Sequence, residues 1–170
     1  MSNLNFSGSN ISMRPANPND SIFIEELFRS TRDALRLADN DPEYVEEIIG
    51  HQFNFQTLGY GANYPNALTF IIEHHRERIG RAVVDFGHNS VHLLDIAFIP
   101  VARGKGFGKT VLQSMQEAAK KICAPMTLIV DQANTMARHL YLSLGFVVES
   151  VHPPSELMIW YPPVSQRPLG

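Results

Sequence analysis

The sequence predicts an α+β domain over residues 11–161, with a mixed, mostly antiparallel sheet flanked by helices. Three observations carry that expectation. Helical periodicity runs from residue 21 to residue 56 and gives way, from residue 67, to three β-rich runs in succession. A glycine-rich loop then separates the third run from an amphipathic helical pattern. Last come a short apolar run, another helix and a pair of strands.

The elements follow in order. Residues 1–10 read as a loose polar tail, and "ISMRPA" as a short strand stopped by Pro15. Asp20 stands where a helix cap is needed, ahead of Ile24, Leu27, Phe28, Thr31 and Leu35 on one side. A second helix starts at "DPEYVEEIIGHQFNFQ", with Asp41 as cap, Pro42 in the first helical position, and Tyr44, Ile48 and Phe55 on one side. "ALTFIIEHH", "RIGRAVVDF" and "SVHLLDIAFI" are separated by the turn-like "RE" and "GHNS", which predicts an antiparallel meander. Phe107, Val111, Leu112, Met115, Ala118, Ala119 and Ile122 then repeat at helical spacing up to Pro125. "MTLIV" reads as a buried strand, "NTMARHLYLSLG" as an amphipathic helix closed by Gly145, and "FVVESV" and "ELMIWY" as a strand pair. The one parallel crossover is expected between residues 91 and 144, and 162–170 as a Pro-rich tail.

Composition narrows the function classes. The chain has 170 residues, 44% hydrophobic, and a net charge of −3, which suits a single globular domain and no general nucleic-acid partner. Cys123 is the single cysteine, so neither an intramolecular disulfide nor a cysteine-based zinc cluster can form, and no metal is expected. The polar start lacks a secretory signal pattern and no run is long enough to cross a bilayer. The expectation is a cytoplasmic protein with no membrane partner. The final strands and the tail offer a surface for a homodimer.

"ARGKGFGKT", residues 102–110, has the composition of a phosphate-holding loop. Two familiar patterns miss by one residue. A nucleotide-triphosphate loop ending in Gly108, Lys109 and Thr110 needs glycine at 103, which is Arg103; a dinucleotide loop from Gly104 and Gly106 needs glycine at 109, which is Lys109. The pattern that fits is Arg-x-x-Gly-x-Gly, at Arg103, Gly106 and Gly108. Amides at a helix N-terminus face an anion there, and glycines let it approach the main chain.

On these residues the chain resembles the GNAT superfamily of acyl-CoA N-acyltransferases. "LLDIAFIPVARGKGFGKTVLQSM" resembles that family's fourth strand, pyrophosphate loop and helix. "LIVDQANTMARHLYLSLGFV" resembles its fifth strand and following helix, with Asn134, Ala137, Tyr141, Gly145 and Phe146 in matching places. The detailed match covers residues 91–148, and element order carries it over 11–161.

The resemblance implies an N-acetyltransferase that takes acetyl-CoA as cosubstrate and an amine as acceptor. A non-catalytic CoA-binding or regulatory module on the same fold is the alternative. CoA would lie against Ala97, Phe98 and Ile99 of the strand, against Arg103, Gly104, Lys105, Gly106, Phe107, Gly108 and Lys109 of the loop, and against Asn134. The fourth and fifth strands would splay to admit the pantetheine arm. Tyr141 would donate a proton to the departing thiolate, as against a tyrosine packed in the core. His92 occupies a place where some members carry a catalytic Glu, and Asp95 is a carboxylate inside an apolar run. Either is a candidate base beside a structural role, and the family often uses ordered water instead.

Strict alternation puts His92, Leu94, Ile96 and Phe98 on one face and Leu93, Asp95, Ala97 and Ile99 on the other. By the same rule His74 and His75 point to opposite faces. His51, Gln52 and Gln56 of the second helix could reach an acceptor, and Glu25, Glu26, Glu46 and Glu47 could attract a cation.

Overall fold

The computed structural model describes residues 3–6, 10–38, 41–87 and 89–164. Its strands are β1 (Leu4–Phe6), β2 (Ile11–Pro15), β3 (Leu68–His74), β4 (Glu77–Phe86), β5 (Val91–Phe98), β6 (Met126–Asp131), β7 (Val147–His152) and β8 (Ser155–Trp160). Its helices are α1 (Ser21–Ser30), α2 (Asp33–Ala38), α3 (Pro42–Asn63), α4 (Phe107–Lys121) and α5 (Thr135–Ser143). The strands form one sheet in the order β1-β2-β3-β4-β5-β6-β8-β7. Every pairing is antiparallel except β5 with β6, which is the expected crossover.

Three details, in β1, the first helix and α3, differ from the expectation. Leu4–Phe6, read as part of a polar tail, pair with β2 as an edge strand. Residues 162–164 carry no regular structure, and the rest of the Pro-rich tail lies outside the described residues. The first helix is two helices. Ser30 and Thr31 hydroxyls donate to the Leu27 and Phe28 carbonyls at 2.6 and 2.7 Å, satisfying last-turn acceptors that a continuing helix would use. Leu35 therefore falls in α2. In α3, Asp41 caps as expected, accepting from the Tyr44 amide at 3.3 Å, but the inward stripe runs through Val45, Ile49 and Phe53. Tyr44 and Phe55 face solvent, because α3 carries apolar residues all round and only packing against Phe28 chooses the phase.

The sheet separates two apolar layers. On one face, Phe70, Ile72, Ala82, Val84, Val91 and Leu93 pack with Val111, Leu112, Met115 and Ala119 of α4 and with Tyr141 and Phe146. Ala118 and Ile122, expected on that stripe, are exposed. Gln116, buried in the same layer, donates to the Leu144 carbonyl at 2.9 Å and ties α4 to the end of α5. The second layer joins α1 to α3 through Phe28, Val45, Ile49 and Phe53.

Asp20, expected to cap α1, makes no side-chain cap bond. Asn17 instead caps the short turn Pro18–Asp20. The Asp20 carboxylate is 1% exposed and accepts from both Arg14 terminal nitrogens at 2.7 and 2.8 Å, from Arg78 at 3.2 Å and from the Asn17 amide at 2.9 Å. Hydrogen bonding from Arg14 holds its pKa far below the ordinary 3.8. The unfolded chain therefore binds the proton more tightly, so the stability from this group is full above about pH 4 and is lost as pH falls. Asp20→Asn is expected to cost about 3 kcal/mol in urea unfolding at neutral pH. The variant's stability should also fall less steeply with acid than the parent's.

Candidate active site

The site is built on β5. Between β4 and β5 the register slips: Val84 lies opposite Leu93, Val83 opposite Asp95, and Leu94 has no partner. This bulge turns the strand by one residue. Val91 and Leu93 lie across from Phe86 and Val84, and beyond the bulge Ile96 and Phe98 lie across from Ala82 and Gly80, on that same face. His92 and Asp95, expected on opposite faces, therefore share the other one, across from Asp85 and Val83.

Pairing of β5 with β6 is confined to Val91–Met126, His92–Thr127 and Leu93–Leu128. Past the bulge the two strands separate. A cleft of about 140 Å³ opens there, bordered by Leu94, Asp95, Ile96, Ile129, Asn134 and Tyr141. Main-chain groups of β5 face this opening. The Ile99 amide donates to the Ile79 carbonyl at 2.9 Å and is not available to a ligand. Alternation then points the Phe98 amide toward the open edge. Gly80 holds this end of β5 close, since a Cβ there would lie 2.3 Å from the Ala97 carbonyl oxygen.

The loop after β5 ends in the first turn of α4. Gly106 is the helix N-cap with φ of 83°, and Gly104 has φ of 72°, a backbone region that a side chain makes costly. No side chain caps the helix, so the amides of Phe107, Gly108 and Lys109 have no partner within it and face outward. Lys105 and Lys109 are exposed beside them. The Arg103 guanidinium is already engaged: it donates to the Phe98 carbonyl at 2.9 Å and to the Ser30 hydroxyl at 3.2 Å, so it braces the loop against β5 and α1. His74, expected to diverge from His75, touches it instead at 4.1 Å between ring centroids, and also packs on Phe107. The cause is the left-handed conformation of His75 in the β3–β4 turn.

Inside the cleft Tyr141 is 8% exposed, with its ring 5.8 Å from that of Phe146. Burial, reinforced by the negative charge of Asp95, pushes its hydroxyl pKa up to about 12, so it holds its proton at neutral pH. Asn134 caps α5 through the Ala137 amide at 3.3 Å at the cleft's border. Asp95 is paired with Arg81, Nε to Oδ2 at 3.2 Å. Burial raises its pKa and the Arg81 charge opposes that rise. His92 meets the Thr127 hydroxyl through Nδ1 and stacks on Tyr64 at 5.7 Å. Burial lowers its pKa, which favours the neutral imidazole.

Several residues near this site carry no sequence signal. Arg81, in the middle of a β-rich run, is 6% exposed and bridges Asp95 to the Gln56 side-chain oxygen at 2.8 Å. A second, larger cleft of about 510 Å³ lies between α1, α3 and the sheet, bordered by Ile24, Thr57, Tyr60, Tyr64, Arg81 and Val83. Tyr60 and Tyr64 sit one helical turn apart on α3, a spacing that could have marked them as one face. Burial, with Asp95 nearby, pushes the Tyr60 hydroxyl up to about 12. His51 is exposed and lies 3.8 Å from Glu47 on its own helix. Among the described residues, no three His, Cys, Asp or Glu side chains gather as a metal site, and no helix is long and apolar enough to cross a membrane.

A sheet pried open between two parallel strands, with free helix amides beyond one strand's end, suits an elongated ligand that ends in phosphate. That architecture defines a class of transferase. The chain belongs to the GNAT acetyltransferase family, whose model matches residues 24–146. Solved structures share the fold. PaiA N-acetyltransferase from Thermoplasma acidophilum, in complex with coenzyme A, is 21% identical over 89% of this chain and 98% of its own, with a TM-score of 0.69. Spermidine N-acetyltransferase from Vibrio cholerae, with CoA and spermine, is 20% identical over 89% and 95%, with a TM-score of 0.62. A ribosomal L7/L12 alpha-N-protein acetyltransferase in complex with coenzyme A is 12% identical over 95% and 98%, with a TM-score of 0.65. No curated protein sequence matches the chain.

The loop predicts separable effects at Gly108. A Cβ there would meet the Phe98 ring at 3.5 Å and Leu140 at 3.7 Å, both ordinary contacts. Gly108→Ala is therefore expected to keep CoA affinity and to raise stability by about 0.5–1 kcal/mol. Gly108→Asp should also fold, since acid suits a helix start, yet its charge at the amides should weaken CoA binding at least ~100-fold, roughly 2.7 kcal/mol. Calorimetric titration with CoA, beside thermal unfolding, reads both.

Proposed function

We propose that this chain transfers an acetyl group from acetyl-CoA directly to a primary amine while both substrates are bound. The observation that carries this reading is the opening between β5 and β6, with free first-turn amides of α4 near one end and the Tyr141 hydroxyl inside it. The diphosphate of CoA meets the amides of the loop from Gly104 to Lys109, and Arg103 keeps that loop in place. The pantetheine arm runs along the unpaired edge of β5, beside Asn134.

The acceptor nitrogen attacks the thioester carbon and a tetrahedral oxyanion forms, which the Phe98 amide stabilises. The C–S bond then breaks, and the departing thiolate takes the proton of Tyr141, a group that burial keeps protonated until that moment. Asp95, on the acceptor side of the same strand, receives the proton released by the amine, and Arg81 orients that carboxylate. His92, held by Thr127 and Tyr64, forms the wall beside Asp95.

Tyr141→Phe tests the proton donor. The ring and its contact with Phe146 stay, so stability and the acetyl-CoA dissociation constant should hardly move. Release of CoA with a panel of amines should fall about 10²–10⁴-fold in both kcat and kcat/KM. Turnover close to the parent's would assign the proton to solvent and return Tyr141 to core packing.

A further inference from the structure

The acceptor side of β5 meets the larger cleft at two points. Arg81 borders the cleft and is paired with Asp95, and Tyr64 borders it and stacks on His92 at 5.7 Å. A volume of about 510 Å³ is that of a small-molecule site. Phe53, Tyr60 and Tyr64 of α3 bring three aromatic rings to its lining, beside Ile24, Pro65 and Val83. The charges of the lining are balanced. Glu25 is paired with Arg29 at 3.1 Å, and Arg81 with Asp95 at 3.1 Å. The remaining polar groups, on Ser21, Asn54, Thr57 and Thr69, are neutral, and the Tyr60 hydroxyl keeps its proton through burial. Glu25 and Glu46, read from the sequence as able to attract a cation, each hold an arginine already; Glu46 takes Arg29 at 2.8 Å and Arg36 at 2.6 Å. A second charge on the acceptor, of either sign, would enter this cleft without a partner.

Gly61 stands on the cleft-facing stripe of α3, four residues after Thr57 and three before Tyr64. Glycine weakens a helix relative to alanine, and Gly61 is not among the residues of left-handed backbone that would call for it. A Cβ there would meet no heavy atom of the described residues within 4 Å. Neither backbone nor packing requires the bare position; what it leaves free is space bordering the cleft. Gly59, also on α3, has the same freedom but lies outside the described lining.

We propose that the larger cleft takes the body of the acceptor, that the acceptor is an arylalkyl primary amine with no second charge, and that Gly61 keeps room for its ring. The assignment rests on the acetyl transfer proposed above. Phe53, Tyr60 and Tyr64 offer a flat ring the faces and edges it needs for offset or tilted stacking. With the ring seated there, the amine at the end of its short chain extends past Arg81 to Asp95 and the thioester.

Matched amines test this on the full chain, with CoA release measured as kcat/KM for each. Phenethylamine is expected to exceed propylamine, which lacks the ring, about 10–100-fold, mostly through KM. Phenylalanine adds only a carboxylate to phenethylamine, and spermidine brings further cations; both should fall at least ~10-fold below phenethylamine. In Gly61→Leu the preference for phenethylamine over propylamine should collapse toward unity, while kcat/KM for propylamine stays near the parent's. Gly59→Leu should keep the parent's order of amines, and the thermal midpoints of both variants should match or exceed the parent's. A parent that prefers spermidine, phenylalanine or propylamine to phenethylamine, or a Gly61→Leu variant that keeps the parent's preference, would overturn the assignment. The parental comparison stands even where Gly61→Leu fails to fold. Acetyl-CoA binding without CoA release to any of these amines would overturn this assignment alone, whereas failure to bind acetyl-CoA would overturn the transfer reading beneath it.

Discussion

One residue more on β5 than on β4 governs the geometry of this site. Leu94 stands outside the ladder, and from that point β5 bends away from β6. Had the two strands stayed paired, the main-chain groups of residues 95–98 would be consumed by the sheet and nothing could lie between them. The opening exposes a row of backbone donors and acceptors that a buried strand normally hides. The same bulge carries Asp95 to the face where α1 and α3 pack, and leaves Phe98 on the face beneath α4.

Electrostatics follow from that placement. Asp95 lies between the hydroxyl in the β5–β6 cleft and the arginines over α1 and α3, and its charge is felt by Tyr141 and Tyr60 alike. Arg81 is buried and would be costly without a counter-charge; Asp95 and Gln56 supply it. Removing either member of the pair would therefore disturb both sides of the strand. The α4 end works differently. There the helix start presents amides that no side chain caps, and Arg103 braces the loop that carries them.

Much of the fold was legible in the chain. The meander of β3, β4 and β5, the loop into α4, the single parallel step to β6 and the capped helix α5 all follow local periodicity and turn chemistry. Legibility stopped where two phases were equally apolar. On α3 the inward stripe was Val45, Ile49 and Phe53 rather than Tyr44, Ile48 and Phe55, because the sequence offers both and Phe28 selects one. β1 was missed because three residues of strand leave no periodic signal and form only by pairing with β2.

What the sequence determined by itself is the loop into α4, with Gly104 and Gly106 where the backbone turns left-handed and Gly108 in the first turn of the helix. Spacing alone identifies these, since glycine's meaning lies in its own φ and its missing side chain. Tertiary structure decided which side chains meet. No pattern in the chain announces the bulge at Leu94 or the Arg81–Asp95 pair, which depend on two neighbouring strands. A single unpaired residue reverses every side chain beyond it, and that reversal depends on the neighbouring strand, which no local reading of β5 contains.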